Sequence, residues 1–268
     1  MAARRRSLKE LAGDPRFISG IYNYCDRWCE RCPLTSRCLV YATEQTQETE
    51  DPASRDINNQ AFWKRMEDIL REAHAMLDEL MQERGIELDP ADLDAARVRE
   101  RQHDVEWNHP RAIAASQYAK SVEDWFGSAS PRLQERGETL TSHLRMGLPG
   151  ANPEGDARRL VDATEIIRWY QHQIAVKIMR AVSSVRREDD DIQPDRSDAD
   201  GSAKVALIGI DRSLAAWSEL LRQLPDDEDQ ILPLLATLGR LRRDIEAAFP
   251  GARSFIRPGF DTGETAAA

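Results

Sequence analysis

The sequence predicts an all-α fold: a helical bundle preceded by a small N-terminal module that holds every cysteine of the chain. Three observations support it. Along residues 58–250, apolar residues recur at steps of three and four, the period of a helix that buries one stripe. The run that competes as a strand, Val205–Ile210, continues its helical periodicity through Leu214, Trp217 and Leu221, so it reads as helix. Cys25, Cys29, Cys32 and Cys38 fall within fourteen residues and no other cysteine exists, which sets residues 19–43 apart from the rest.

Taken in order, residues 1–18 form a polar leader with a helical turn at Ser7–Ala12, 19–43 the cysteine module, and 44–57 an acidic linker rich in Glu, Thr and Gln. The first bundle helix is expected from Asn58, with Phe62, Met66, Ile69, Ala73, Met76 and Leu80 as its stripe and Gly85 as its stop. Asp89 and Pro90 supply an N-cap and a first-turn proline for a charged surface helix to about Gln102. Pro110 opens the next core helix, carried by Ile113, Tyr118, Val122, Trp125 and Phe126. Gly127–Pro131 should interrupt it before Leu133–Leu144 resumes, and Gly147–Gly155 is a loop. Residues 156–187 carry the longest pattern, with Leu160, Ala163, Ile167, Ile174, Ile178, Ala181 and Val185 on one side. Glu188–Gly201, crowded with aspartate, reads as an exposed acidic loop, because like charges resist compaction. Lys204–Leu221 is apolar around most of its circumference, as a central helix requires, and Gly209 and Ser213 leave room for a close neighbour. After Pro225, Ile231–Phe249 is the last helix and 251–268 the tail. The bundle is thus expected over 58–250, from helices near 58–84, 110–145, 156–187 and 203–249. No heptad pattern lasts long enough for an extended coiled coil.

A chain of 268 residues can bury a core without staples. Its net charge of −10 repels phosphate, which argues against nucleic acid and anionic membrane as partners. Arg4, Arg5 and Arg6 make a basic tip without the apolar stretch of a signal peptide behind it, and no run of about 18 apolar residues is present to span a membrane. A cytoplasmic address is the expectation, and in a reducing compartment disulfides are the weaker use of four cysteines.

Three, two and five residues separate the successive cysteines. Such spacing lets one compact segment aim four sulfurs at a common point, as a tetrahedral thiolate site or an iron–sulfur cluster requires. Cys25, Cys29, Cys32 and Cys38 are therefore the expected ligands of an iron–sulfur cluster or Zn. Tyr22, Tyr24, Trp28 and Tyr41 flank them and can shield the site from water. Zinc ribbons draw on two separated knuckles, whereas one segment supplies everything here, as in cluster-binding loops. Cys25-x3-Cys29-x2-Cys32 resembles the three-cysteine loop of radical S-adenosylmethionine enzymes. Cys29-x2-Cys32-Pro33 with Cys38 is similar to part of an auxiliary-cluster segment in that superfamily. Both resemblances imply ligation alone, since the alternating strands and helices of that family's barrel are missing from the pattern. Cys29-Glu30-Arg31-Cys32 also has the C-x-x-C redox spacing, without a thioredoxin-like βαβ pattern around it.

A second constellation lies in the predicted bundle. Glu67 and His74, beside Trp63, Leu70, Leu77 and Met81, are seven residues apart on the first helix, and Glu165 and His172, beside Val161 and Met179, repeat that spacing on the third. Seven residues are two helical turns, about 10.5 Å of rise, so each pair shares a face. Parallel first and third helices would layer glutamate with glutamate and histidine with histidine, with Asp211 and Glu123 as further carboxylates. This layer resembles the interior of ferritin-like dimetal proteins, which implies a dimetal centre. It departs from them in lacking their Glu–His spacing of three residues. The alternative is a set of helix positions that bind nothing. His103, His109 and His143 fall near helix ends and read as surface or capping residues. Lys177 and Lys204 lie in apolar runs, where a lysine either snorkels to water or is desolvated. No Gly-rich phosphate loop, nucleophile elbow or H-E-x-x-H helix is present.

The functional expectation is a soluble metal-binding helical protein with a four-cysteine iron–sulfur or zinc site and an electron-transfer or oxidoreductase role, served by a protein redox partner. Its alternative is a structural zinc module on a helical protein-interaction scaffold, with no catalysis.

Overall fold

Caps in the sequence set the helix ends. The structure, a computed structural model, describes residues 11, 13–48, 60–85, 109–147, 151–188 and 198–261. Its helices are α1 (Leu39–Glu48), α2 (Gln60–Arg84), α3 (Pro110–Met146), α4 (Pro153–Glu188), α5 (Asp198–Gln223) and α6 (Glu228–Ala248), with short 3-10 turns at Ile21–Tyr24, Cys29–Arg31, Thr35–Arg37 and Pro225–Asp227. The protein is mostly helical, as expected, with no strand among the described residues. His109 caps α3, its Nδ1 accepting the Arg111 N–H at 3.3 Å, and Gly147 closes α3 in the left-handed conformation, φ 61°. Asn152 accepts the Gly155 N–H at 3.0 Å and Pro153 follows at the first helical position, so α4 begins three residues before the expected Asp156.

The chain divides into two compact units, Met1–Tyr22 with Cys29–Gln102, and Asn23–Trp28 with His103–Ala268. Helix α2, expected as the first bundle helix, belongs to the first unit, and the bundle is α3–α6. In the second unit α4 packs on α3 and α5, and α6 on α5 and α3, which closes a ring of four. Its centre holds Tyr118, Val122 and Trp125 of α3, Ile167, Tyr170, Ile174 and Ile178 of α4, Leu207, Ile210, Trp217 and Leu220 of α5, and Ile231, Leu238 and Ile245 of α6, all buried. At about 1.5–3 kcal/mol for each large side chain, this burial is the main favourable term. The Trp217 indole donates to the Tyr118 hydroxyl at 2.9 Å, and burial pushes that phenol up to about 12. Gly209 admits the Tyr170 ring, which a Cβ there would approach to 2.9 Å.

Four expectations change. Helix α3 runs unbroken through Gly127–Pro131. Gly127 and Pro131 lie on its exposed face, where water can take the carbonyl that proline leaves without an amide partner. The acidic loop is shorter than 188–201: α5 begins at Asp198, whose charge is neutralised by Arg180 at 2.6 Å. The linker gives way to α1 as far as Glu48. Residues 251–261, expected as tail, fold onto α5 within the second unit, with Lys204 paired to Asp261 at 2.8 Å. The charged helix at 89–102, His103, the linker from 49, most of the leader, the rest of the acidic loop and the tail beyond 261 lie outside the described residues.

In the first unit, Ile21 and Leu34 are buried, and the Ile18 N–H bonds the Arg37 carbonyl at 3.0 Å. Helix α2 is amphipathic in pattern, yet Trp63, Leu70 and Leu77 are each more than half exposed.

Candidate metal centre

The segment Asn23–Trp28 carries Cys25 and is part of the second unit. Asp26 organises it. Its Oδ2 accepts the Tyr170 hydroxyl at 2.5 Å and Arg212 Nη1 at 2.7 Å, and its carbonyl accepts the Trp169 indole at 2.9 Å and the Gln173 amide. Its Oδ1 accepts the Trp28 N–H at 3.3 Å, an Asx turn. Arg27, inside that turn, has φ 56°. A left-handed backbone costs a residue with a Cβ about 1–2 kcal/mol, which the surrounding bonds must offset. Trp28 stacks on Trp169 at 5.0 Å and meets the edge of Tyr170 at 6.1 Å. Burial, and then the Asp26 acceptor, push the Tyr170 phenol far up, so it stays a donor at neutral pH.

Upstream, the Asn23 carbonyl accepts Lys177 Nζ at 3.2 Å and Arg180 Nη1 at 3.3 Å. The Tyr24 hydroxyl donates to Asp198 at 3.0 Å, and Asp198 also receives Arg180 and Ser184, each at 2.6 Å. Burial works against the Asp198 carboxylate, but the hydrogen bonds from Arg180 and Ser184 outweigh it and hold its pKa below the usual range. The Tyr24 ring lies 4.8 Å from Phe255 and over Gly201, where a Cβ would meet Phe255 at 2.8 Å and Tyr24 closer still. Cys25 is therefore fixed on both sides. Burial pushes its thiol up, while the Arg27 N–H and the Lys177 charge work in the opposite direction. Lys177 does not snorkel: it is buried, and desolvation lowers its pKa.

The rest of the quartet lies in the first unit. Cys29 opens a 3-10 turn and its carbonyl accepts the Cys32 N–H at 3.2 Å. The Cys32 sulfur accepts the Leu34 N–H at 3.4 Å, the kind of bond that steadies a thiolate ligand. Cys38 closes the Thr35–Arg37 turn through its N–H at 3.2 Å, and its carbonyl accepts Ala42 N–H at the start of α1. All four cysteines are half-buried. Among the described residues, no three His, Cys, Asp or Glu side chains are assembled to hold a metal ion.

The bundle residues separate. Glu67 and His74 are exposed on α2 in the first unit, whereas Glu123, Glu165, His172 and Asp211 belong to the second. Glu165 and His172 lie on the outer side of α4, opposite Ile167, Ile174 and Ile178. His172 meets Glu123 at 3.2 Å with both more than half exposed. Asp211 is held by Arg253 at 2.6 Å and Arg242 at 3.6 Å.

Sequence reasoning singled out the cysteines and the flanking Tyr24 and Trp28, which the structure packs against Phe255 and Trp169, but missed Asp26, Trp169, Tyr170, Gln173, Arg180, Asp198 and Arg212. The local signal for Asp26 was its position two residues before Trp28, suited to an Asx turn; its partners gave none. Comparison with known proteins returned no matching family model, no matching curated protein and no matching solved structure. No described helix is long and apolar enough to cross a membrane.

Proposed function

We propose that Cys25, Cys29, Cys32 and Cys38 together bind one inorganic centre, an iron–sulfur cluster or a zinc ion. One observation carries the reading: four cysteines in fourteen residues of a chain with no others. Their chemistry supports it. Thiolates are the preferred ligands of both groups, and four of them complete a closed site. Binding a metal displaces the thiol protons and brings the sulfurs to coordination distance, so site assembly is coupled to loading and weakens in acid. The Leu34 N–H bond to Cys32 favours its thiolate form, whereas at Cys25 burial outweighs the Arg27 N–H and the Lys177 charge and favours the thiol until a metal displaces its proton.

Two roles follow from the two metals. A cluster would make the protein an electron carrier for a redox partner. A zinc ion would make the quartet a strut on a helical interaction scaffold. The second role is favoured by the anchorage of Asn23–Trp28, whose side chains hold position through bonds to Tyr170, Arg212 and Asp198. The proposal is confined to the cysteines, because His172 and Glu123 form an outward pair, Asp211 is held by Arg253, and Glu67, His74 and Glu165 are exposed.

The full chain purified under anaerobic conditions tests this. Visible absorption bleached by dithionite, with iron and sulfide, identifies the electron carrier; a colourless protein with one zinc per chain identifies the strut. In either case Cys29→Ser or Cys32→Ser should abolish stoichiometric metal while helix content persists. Unchanged metal in those variants contradicts the reading.

A further inference from the structure

We propose that Cys29 and Cys32 form a reversible disulfide when a hydroperoxide reaches them, and that this pairing expels the metal from the four-cysteine site. The expulsion rests on the metal reading; the pairing itself does not. The Cys32 N–H bonds the Cys29 carbonyl at 3.2 Å, closing the 3-10 turn that Cys29 opens. Such a turn has three residues per revolution and advances about 2.0 Å per residue, so side chains three apart stand on one side with their Cα atoms about 6 Å apart. A disulfide spans about 4.4–6.8 Å between Cα atoms. Rotation of the two side chains can therefore join the sulfurs while the turn is kept.

Neither of the other cysteines belongs to this turn. Cys38 closes a separate one, Thr35–Arg37. Cys25 belongs to the segment Asn23–Trp28, which Asp26 bonds to Tyr170 and Arg212. Glu30, Arg31 and Pro33, beside the pair, are exposed, and neither cysteine is fully buried, so a small oxidant has access.

The electrons balance with a hydroperoxide as the oxidant. One sulfur attacks its O–O bond, which breaks, leaving a sulfenic acid and releasing water or an alcohol. The second sulfur then displaces the hydroxyl group as water, and the S–S bond forms. Two electrons leave the sulfurs, one from each, and reduce the hydroperoxide. The protons taken up are those of the two thiols or, where the sulfurs start as metal-bound thiolates, two from solvent. A disulfide sulfur is no longer the thiolate that a metal binds. Cys25 and Cys38 then remain, two donors where a closed site needs four. Thiol reductants reverse the pairing by exchange and restore the site.

The test treats the anaerobically purified full chain with hydrogen peroxide, alkylates the free thiols and maps tryptic peptides by mass. Cleavage after Arg27, Arg31 and Arg37 places the four cysteines on four peptides, so each possible pairing has its own mass. The expected result is a Cys29–Cys32 link, a fall from four free thiols to about two, release of most of the iron or zinc, and recovery of both thiols with dithiothreitol. Cys25→Ser should still form the link, and Cys32→Ser should form none. Metal loss alone is no support, since peroxide also attacks an iron–sulfur cluster; the position of the link decides. Metal present at the start, followed by links to Cys25 or Cys38, by four surviving thiols, or by oxidation that dithiothreitol does not reverse, overturns the switch and leaves the four-cysteine site standing. So does a Cys29–Cys32 link formed with the metal retained. A starting chain without metal that still forms the link contradicts the site, and with it the expulsion, while upholding the pairing.

Discussion

The two halves of the cysteine run acquire order in opposite ways. Asn23–Trp28 is held by side chains and carbonyls bonded to helices far along the chain, through Asp26, Tyr24 and Asn23. Cys29–Cys38 shows mainly backbone bonds between near neighbours, Cys32 to Cys29, Arg37 to Leu34 and Cys38 to Thr35, beside one longer bond from the Ile18 N–H to the Arg37 carbonyl and the burial of Leu34. Short 3-10 turns of this kind are individually weak. The first half is therefore anchored without any metal, and the second is the half that the proposed metal would consolidate.

Truncating side chains should separate them. Asp26→Ala is expected to cost most, about 3 kcal/mol in urea denaturation, because it strands a buried Tyr170 hydroxyl and removes the carboxylate that Arg212 meets. Asp26→Asn should recover part of that loss by restoring an acceptor. Gly201→Ala comes next, at about 2 kcal/mol, since its methyl group would displace Tyr24 and Phe255; combined with Tyr24→Ala it should cost less than the sum. Asp198→Asn should cost about 1 kcal/mol at neutral pH, allowing for solvent screening at a partly exposed site. Its folded-state pKa lies below the unfolded value of about 3.9, so its stabilisation is complete above that value and disappears as the pH falls through the lower folded one. The stability gap between wild type and Asp198→Asn should close in acid; a gap that persists there would remove this part of the anchorage. In the second half, Glu30→Ala and Ser36→Ala should each stay within about 0.5 kcal/mol, because both side chains are exposed and the backbone carries the turns. Equal losses in the two halves would break the contrast.

Much of this was legible in the sequence, for identifiable reasons. The buried faces of α3, α4 and α5 follow from the spacing of Tyr118 with Val122 and Trp125, of Ile167 with Ile174 and Ile178, and of Ile210 with Trp217. Breaker residues misled at Gly127–Pro131, because a proline on a helix's wet face leaves only an exposed carbonyl without a partner. Charge misled at Asp198, because its neutralising partner Arg180 is remote from the acidic run that suggested repulsion. Of the stripe expected on α2, Met66 is exposed and the side chains of Phe62, Ile69, Ala73, Met76 and Leu80 lie outside the described residues; periodicity says that a face wants cover, not which element provides it. The cysteines announced themselves by spacing. Their anchors did not, since Tyr170 and Arg212 lie 144 and 186 residues from Asp26 and no local pattern links them.

X-ray absorption at the metal edge of the anaerobically purified full chain tests the central claim most directly. Four sulfur neighbours around zinc or iron, at about 2.3 Å, are the predicted result. A metal bound mainly by nitrogen and oxygen, or a purified chain that binds neither iron nor zinc, would contradict it.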